Sequence, residues 1–158
     1  MLNSVFNALH GQRVFLEGML LKPNMIISGS LSPKQASVSE VADATLRCLL
    51  RHVPAAVPGI VFLSGGQSDV LATAHLNAIN HTTANKPWKI SFSYGRALQD
   101  PALATWLGNK QNYMTAQHAY CHRAKCNAAA SLGKYSAAME NELSSEVVGR
   151  HRSDRDDD

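Results

Sequence analysis

Three short apolar segments, each followed by a helical pattern, constrain the fold of this chain of 158 residues. The segments span residues 13–21, 59–63 and 88–93, and apolar side chains recur at helical spacing after each of them. Alternation of strands and helices predicts a parallel sheet with right-handed crossover helices. The first segment is largely apolar at both odd and even positions, which is typical of a strand covered on both faces. We therefore predict an α/β fold with three parallel strands.

Local signals set the expected bounds of the helices. Ser37 and Glu40 form a capping box, and Ser68 or Asp69 is a cap for the next helix. Pro23 ends the first strand because proline has no N–H to donate. We expect helices over residues 1–10, about 37–52, about 69–80, from about 101, and about 112–131.

Composition bounds the class of protein. The chain is 45% apolar and 17% charged with a net charge of +3, and it shows no basic stripe with interleaved aromatics, so we expect no nucleic-acid partner. No apolar run is long enough to span a membrane, and the N-terminus does not have the pattern of a secretion signal. Three cysteines form no disulfide framework, so we expect a reducing cytoplasm. We expect one packed unit over residues 1–135 and a polar, disordered tail over 136–158.

Lys22 is the first candidate for chemistry. It stands at the end of the first strand among leucines and beside Pro23. Burial there would disfavour the ammonium form and leave a free amine, which Schiff-base chemistry requires. The alternative is a lysine at the end of a strand whose amine reaches water.

Two loops at the ends of the other strands are candidate anion sites. Ser64, Gly65 and Gly66 follow the second strand, and two glycines let successive N–H groups point at one anion near a helix start. The loop is not a Walker motif, and a tight turn would use the same glycines. Arg96 follows the third strand, and a guanidinium at that position is suited to hold a phosphate by two hydrogen bonds. The alternative is that Arg96 is a solvated loop residue or part of an ion pair.

All three features fall at the carboxyl ends of the predicted strands. Ligands of parallel α/β sheets gather at that edge. In barrels of eight strand–helix units, the loops after the last two strands often bind phosphate. The order of Lys22 and the two loops agrees with that arrangement.

Four motifs, in order and at matching spacing, resemble those of class I fructose-bisphosphate aldolases. The motifs are LEGMLLKPNM at 16–25, FLSGGQS at 62–68, LNAIN at 76–80 and FSYGRAL at 92–98. The resemblance covers residues 2 to about 135. It implies that Lys22 is the Schiff-base lysine. It further implies a substrate phosphate site at the following residues: Ser64, Gly65, Gly66, Ser93, Gly95 and Arg96.

The resemblance implies an activity and a setting. The reaction is the reversible cleavage of fructose 1,6-bisphosphate to dihydroxyacetone phosphate and glyceraldehyde 3-phosphate in glycolysis and gluconeogenesis. It proceeds through an imine on the lysine, with no metal and no cofactor. The family further suggests a cytoplasmic homotetramer that has a sugar phosphate as substrate.

The family fold is a complete (β/α)8 barrel, and this chain resembles only its last three strand–helix units and C-terminal helices. We therefore expect a partial TIM barrel from a truncated gene or an incorrect start, with little activity alone, since the family's catalytic carboxylates and additional lysines lie on earlier strands. Glu17 has the wrong strand parity to replace them, Asp69 is interpreted as a helix cap, and Asp100 as a loop residue. The alternative is a non-catalytic remnant that binds phosphate or pairs with an intact subunit.

Other departures from the family pattern are few. The residues 106–108 differ slightly from the usual glycine-rich stretch, and the chain ends at Asp158 rather than at tyrosine. One predicted helix also carries four metal-ligating residues, His118, Cys121, His122 and Cys126. Two histidines at i and i+4 with a thiolate are able to share a metal, but an amphipathic helix with small cysteines and surface histidines is the favoured interpretation.

Overall fold

The computed structural model describes residues 1–141, which form eight regular elements and three short 3₁₀ turns. The helices are α1 (Leu2–Gly11), α2 (Val38–His52), α3 (Asp69–His81), α4 (Arg96–Trp106) and α5 (Tyr113–Ser131). The strands are β1 (Leu20–Leu21), β2 (Gly59–Phe62) and β3 (Lys89–Phe92). The 3₁₀ turns are Leu16–Gly18, Lys110–Asn112 and Ala137–Asn141.

The three strands form one parallel sheet in the order β1-β2-β3. Leu21 pairs with Ile60, which in turn pairs with Ile90. Helices α2 and α3 carry the chain from one strand to the next. The predicted α/β architecture of parallel strands alternating with helices is therefore confirmed.

The core lies on one face of this sheet. Ile60, Phe62 and Ile90 share that face and are almost fully buried against the helices. The opposite face is largely open within residues 1–141: Leu20 is 61% exposed there. The expectation of a first strand covered on both faces is therefore wrong for the part of the chain that the structure describes.

The first strand is much shorter than the predicted segment over residues 13–21. Only Leu20 and Leu21 pair with β2, because the residues before them form a 3₁₀ turn instead of extending along the neighbouring strand. A 3₁₀ turn precedes it, and there the Phe15 ring packs so close to Gly18 that an added Cβ would lie 2.9 Å from its Cδ1. Glu17 belongs to this turn, so the argument from strand parity does not apply to it.

The predicted helix caps are confirmed. In α2, Ser37 Oγ accepts a hydrogen bond from the Glu40 N–H, and the Glu40 carboxylate accepts one from the Ser37 N–H. In α3, Ser68 is the cap and accepts from the Leu71 N–H, so the interpretation of Asp69 as the cap is wrong: Asp69 is the first residue of the helix.

Helix α4 begins five residues earlier than predicted. It starts at Arg96, directly after Gly95, and Pro101 lies inside it. Asp100 is consequently a helical residue, and its interpretation as a loop residue is wrong. The helical pattern in the sequence resumes near Pro101, and proline is common in the first turn of a helix, so the sequence predicts too late a start.

The C-terminal region continues past residue 135. The turn Ala137–Asn141 belongs to the segment that the sequence assigns to the tail, while the predicted disorder of 142–158 falls outside the described residues. Across residues 1–141, no helix has the length and hydropathy needed to cross a bilayer.

Candidate functional site

Lys22 directly follows β1 at the carboxyl edge of the sheet. The backbone holds the neighbouring strand ends together there. The Leu63 N–H donates to the Pro23 carbonyl at 3.1 Å, and the Ser93 N–H donates to the Phe62 carbonyl at 2.8 Å. Lys22 and both predicted loops therefore meet at one edge, as the sequence predicts.

Strand alternation places Lys22 on the open face of the sheet. Leu21 pairs with buried Ile60, so Lys22 lies beside Val61, whose partner is Ser91. Ser93 lies two residues after Ser91 and so shares this face. Lys22 and Ser93 thus lie on the same side of the sheet, with β2 between them.

Lys22 is exposed, so the expectation of a buried amine is wrong within residues 1–141. The physical reason is the open face: the leucines near Lys22 point elsewhere or are themselves exposed, and three strands enclose no interior. Lys22 lines a cavity of about 560 Å³ together with residues of α1 and α2, among them Asn3 and Thr45.

The Gly65–Gly66 loop has a geometry that requires glycine. The Gln67 N–H donates to the Ser64 carbonyl, closing a turn whose central residues have φ of +60° and +83°. At Gly65 a Cβ would also lie 2.8 Å from Asn24 Cγ. Asn24, two residues after Lys22, therefore packs directly on this loop and links it to the end of β1.

A buried polar network fixes the same loop from the helix side. Gln67 donates through Nε2 to the Ser64 carbonyl at 2.9 Å, and its Oε1 lies 2.5 Å from His75 Nδ1. His75 is 2% exposed, and burial lowers its pKa below the ordinary range. The neutral ring with its proton on Nδ1 donates to Gln67, which orients the amide that holds the loop.

Helix α3 contributes less to an anion site than the sequence suggests. It begins four residues after Gly65, its first N–H groups are capped by Ser68, and Asp69 stands in its first turn. A cap and a carboxylate both compete with a bound anion for the helix dipole.

Helix α4 offers a more open N-terminus. Gly95 is its N-cap, no side chain caps it, and no acidic residue lies in its first turn. Arg96 is exposed and lines a cleft of about 310 Å³ with Gln67 and Asp69. An anion at the N-terminus of α4 would meet both the guanidinium and the positive end of the helix dipole, while the carboxylates of Asp69 and Asp100 line the same cleft and oppose it.

The predicted site residues share an edge but not one cavity. Gly65 and Gly66 line a cavity of about 630 Å³ on the side of the 28–36 loop, whereas Lys22 and Arg96 line the two separate spaces described above. Within residues 1–141 the structure thus brings these elements to one side of the molecule without enclosing them.

Sequence reasoning missed Asn24, Gln67 and His75. Asn24 faces Gly65 across two strand ends, a contact that is not local in the sequence. Gln67 follows the two glycines, and His75 lies about two turns into α3. The sequence offers one signal for this pair, which is a histidine among the apolar residues on the buried side of α3.

The four metal-ligating residues of α5 separate in the structure. His118 and Cys121 line a groove between α4 and α5, and Cys121 is exposed. His122 and Cys126 point instead to Glu140 in the last 3₁₀ turn.

Comparisons with known proteins agree with this arrangement. The family model for class I fructose-bisphosphate aldolase matches residues 1–152. Fructose-bisphosphate aldolase B of Gallus gallus is 54% identical over 134 residues, covering 85% of this chain and 37% of that protein. The fructose-bisphosphate aldolase cytoplasmic isozyme 1 of Pisum sativum is 51% identical over 147 residues, which cover 93% of this chain and 41% of the pea protein.

A solved structure gives the same result. The fructose-bisphosphate aldolase of Plasmodium falciparum, crystallised with TRAP and a small-molecule inhibitor, superposes with a TM-score of 0.83 at 46% identity. The match covers 86% of this chain and 39% of that one. The chain spans about two fifths of the length of the relatives that it matches. With a family model over almost its whole length, this chain belongs to the class I fructose-bisphosphate aldolase family.

Proposed function

We propose that this chain carries the imine-forming lysine and the phosphate-binding elements of a fructose-bisphosphate aldolase. The substrate is a sugar phosphate, and the reaction is the reversible cleavage of fructose 1,6-bisphosphate. The observation that supports this most is the placement of Lys22 and Ser93 on one face of a parallel sheet, with the Gly65 loop and Arg96 at the same edge.

The residues divide the chemistry between them. The amine of Lys22 attacks the ketone carbon, a carbinolamine forms and then loses water, and the protonated imine draws electrons from the bond that breaks. The N–H groups of Gly65, Gly66 and Gly95, with Arg96, hold a phosphate of the substrate. Binding a remote phosphate positions the carbonyl against the amine. Ser93, exposed on the same face, is placed to contact the substrate between these groups.

Lys22 needs an environment that residues 1–141 do not supply. The Lys22 side chain is exposed and no described residue shields it from water, so we expect imine formation to be slow unless further chain covers the open face. We further propose a cytoplasmic location, as in the pea isozyme, and a homo-oligomer as the assembled form.

The test is trapping of the imine on a defined residue. The full 158-residue chain is incubated with dihydroxyacetone phosphate and borohydride, and the reduced adduct is located by peptide mass spectrometry. We expect the adduct on Lys22 and its loss in Lys22→Met. Lys89→Met is the matched control, because Lys89 is an exposed lysine at the first residue of β3, on the edge of the sheet opposite to Lys22.

Two results would contradict the assignment. One is an unmodified Lys22 beside a labelled full-length aldolase. The other is equal labelling of Lys22 and Lys89, which would indicate unselective reaction of surface amines.

A second candidate function is favoured by the same open face. Leu20 and Lys22 are exposed, which suits a chain that binds phosphate without turnover or pairs with an intact aldolase subunit. Co-expression with a tagged intact aldolase separates these possibilities: a stable mixed oligomer supports pairing, and recovery of this chain alone counts against it.

A further inference from the structure

We propose that His122, Cys126 and Glu140 form a zinc site that joins α5 to the 3₁₀ turn Ala137–Asn141. Each residue offers one ligand atom, and the three atoms lie within 4.8 Å of one another. The site shares no residue with Lys22 or the phosphate-binding elements and does not depend on the proposed aldolase activity.

Two of the three distances between ligand atoms are close to those of a tetrahedral centre. His122 Nε2 lies 3.7 Å from Cys126 Sγ and 3.7 Å from Glu140 Oε2. Zinc bonds of about 2.0–2.3 Å at tetrahedral angles separate ligand atoms by roughly 3.3–3.6 Å. A movement of a few tenths of an ångström would therefore bring Nε2 to a separation that one zinc ion bridges with each partner, while Cys126 Sγ and the Glu140 carboxylate, which lie within 4.8 Å of each other, would approach by up to about 1 Å.

The two helical ligands are preorganised by their spacing. His122 and Cys126 are four residues apart on α5, so their side chains lie on the same face of the helix. Cys126 is 1% exposed, and His122 is 14% exposed. The cluster is thus set into the packed side of α5, with access for an ion from the His122 side.

Neighbouring donors hold the third ligand in place. Arg123 Nη2 and the Tyr135 hydroxyl both donate to Glu140 Oε1, at 2.5 and 2.6 Å. The other oxygen, Oε2, faces His122. Hydrogen bonds to the outer atoms of a ligand are how proteins orient metal-binding carboxylates.

The charges around the cluster favour a divalent ion despite the arginine. Arg123 is 2% exposed and contributes one positive charge, while Glu140 and Asp69 contribute two negative charges. A metal-bound Cys126 thiolate adds a third. A Zn²⁺ ion brings this sum to zero, and its binding releases the thiol proton.

The donor set selects the kind of metal. Imidazole, thiolate and carboxylate together suit Zn²⁺ and disfavour Mg²⁺ and Ca²⁺, which prefer oxygen ligands. Three protein ligands leave a fourth position for water. We assign the site a structural role, that of fixing the 137–141 turn on α5.

Metal titration of the full 158-residue chain tests the proposal. The reduced, chelator-treated protein is titrated with Co²⁺, whose absorption reports both tetrahedral geometry and sulfur ligation, and the Co²⁺ is then displaced by Zn²⁺. We expect one equivalent to bind with a thiolate-to-cobalt band. We also expect Zn²⁺ to raise the melting temperature.

Matched variants locate the ligands. Cys126→Ala should abolish the thiolate band, and His122→Gln and Glu140→Gln should each weaken binding about ten-fold or more. Cys121→Ala removes an exposed cysteine of the same helix and should leave the spectrum unchanged. Cys126→Ser removes the sulfur ligand with little change in side-chain volume. Far-ultraviolet circular dichroism of each variant shows whether the fold is kept, so that loss of a ligand is separated from loss of the fold.

Three outcomes would overturn the proposal. They are the absence of a thiolate band in the parent chain, its persistence in a folded Cys126→Ala variant, and its loss in Cys121→Ala. In each case the cluster is an ion pair between His122 and Glu140 beside a buried thiol, and no metal site.

Discussion

At the scale of single residues, Gly65 is the position that the structure constrains most tightly. Its φ of +60° costs any other residue about 1–2 kcal/mol, and a Cβ would also meet the Asn24 side chain. We expect Gly65→Ala to lower the free energy of unfolding in urea by more than Gly66→Ala. Gly66 has φ of +83° but open space around a Cβ, so it is the matched control.

The excess cost should come from Asn24. Combining Asn24→Ala with Gly65→Ala removes the contact and should recover the difference between the two glycine variants. Equal losses at Gly65 and Gly66 would show that the contact between Asn24 and the loop does not matter for stability.

His75 makes the stability of the chain depend on pH. Burial lowers its pKa, so the unfolded chain binds more protons than the folded chain as pH falls through the ordinary value near 6.5. The contribution of this residue is therefore fully present above that value and lost below it. We expect the free energy of unfolding to fall between pH 7.5 and 5, by about 1.4 kcal/mol per pH unit at most, the limit for a single proton.

Two variants test whether His75 causes this dependence of the free energy of unfolding on pH. His75→Leu should flatten it, whereas His10→Gln, which changes an exposed histidine on α1, should leave it in place. An unchanged slope in a folded His75→Leu variant would mean that other groups titrate.

The residues of the candidate site also show how much of it can be predicted from the sequence. Lys22, the two glycines and Arg96 were found because each ends a strand, and strand ends are visible as a change from apolar to polar or glycine residues. The exposure of Lys22 was not predictable in this way, since it depends on which face of the sheet the rest of the molecule covers. The contact between Asn24 and Gly65 joins residues far apart in the chain, and no local pattern reports it.

At the scale of elements, a buried hydrogen bond joins α3 to α5. The Thr73 hydroxyl lies 2.7 Å from Asn127 Oδ1 and 2.8 Å from the Asp69 carbonyl, and Thr73 and Asn127 are both fully buried. We expect Thr73→Val to cost about 1–3 kcal/mol, because it leaves the buried amide of Asn127 without its hydrogen-bond partner. Thermal or urea unfolding gives the value.

A double variant checks the physical reason. Thr73→Val with Asn127→Leu removes both partners and should recover part of the loss. Additive losses in the double variant would contradict the assignment of the cost to an unpaired polar group.

The elements differ in how readily the sequence predicted them. Helix α2 was placed to within a residue because its capping box is a local signal. Strand β1 was overestimated because apolar residues before it pack in a 3₁₀ turn instead of pairing. The start of α4 at Arg96 was missed since Gly95 caps it without a side chain.

At the scale of the whole molecule, the sheet has one packed face and one open face. The six carboxylates within residues 1–141 all lie on helices or 3₁₀ turns and none on a strand. None of them lines the cavity that contains Lys22, so no carboxylate stands beside Lys22 there for proton transfer. We expect the chain to cleave fructose 1,6-bisphosphate far more slowly than a full-length aldolase in a coupled assay, and turnover at the full-length rate would contradict this.

The central claim is that Lys22 and the phosphate-binding elements act as one site. The most direct measurement compares borohydride trapping on Lys22 with dihydroxyacetone phosphate and with dihydroxyacetone, which has no phosphate, in the parent chain and in Arg96→Ala. The account predicts more adduct from the phosphorylated ketone, with the preference reduced in Arg96→Ala. Equal trapping of both ketones by the parent chain would contradict it.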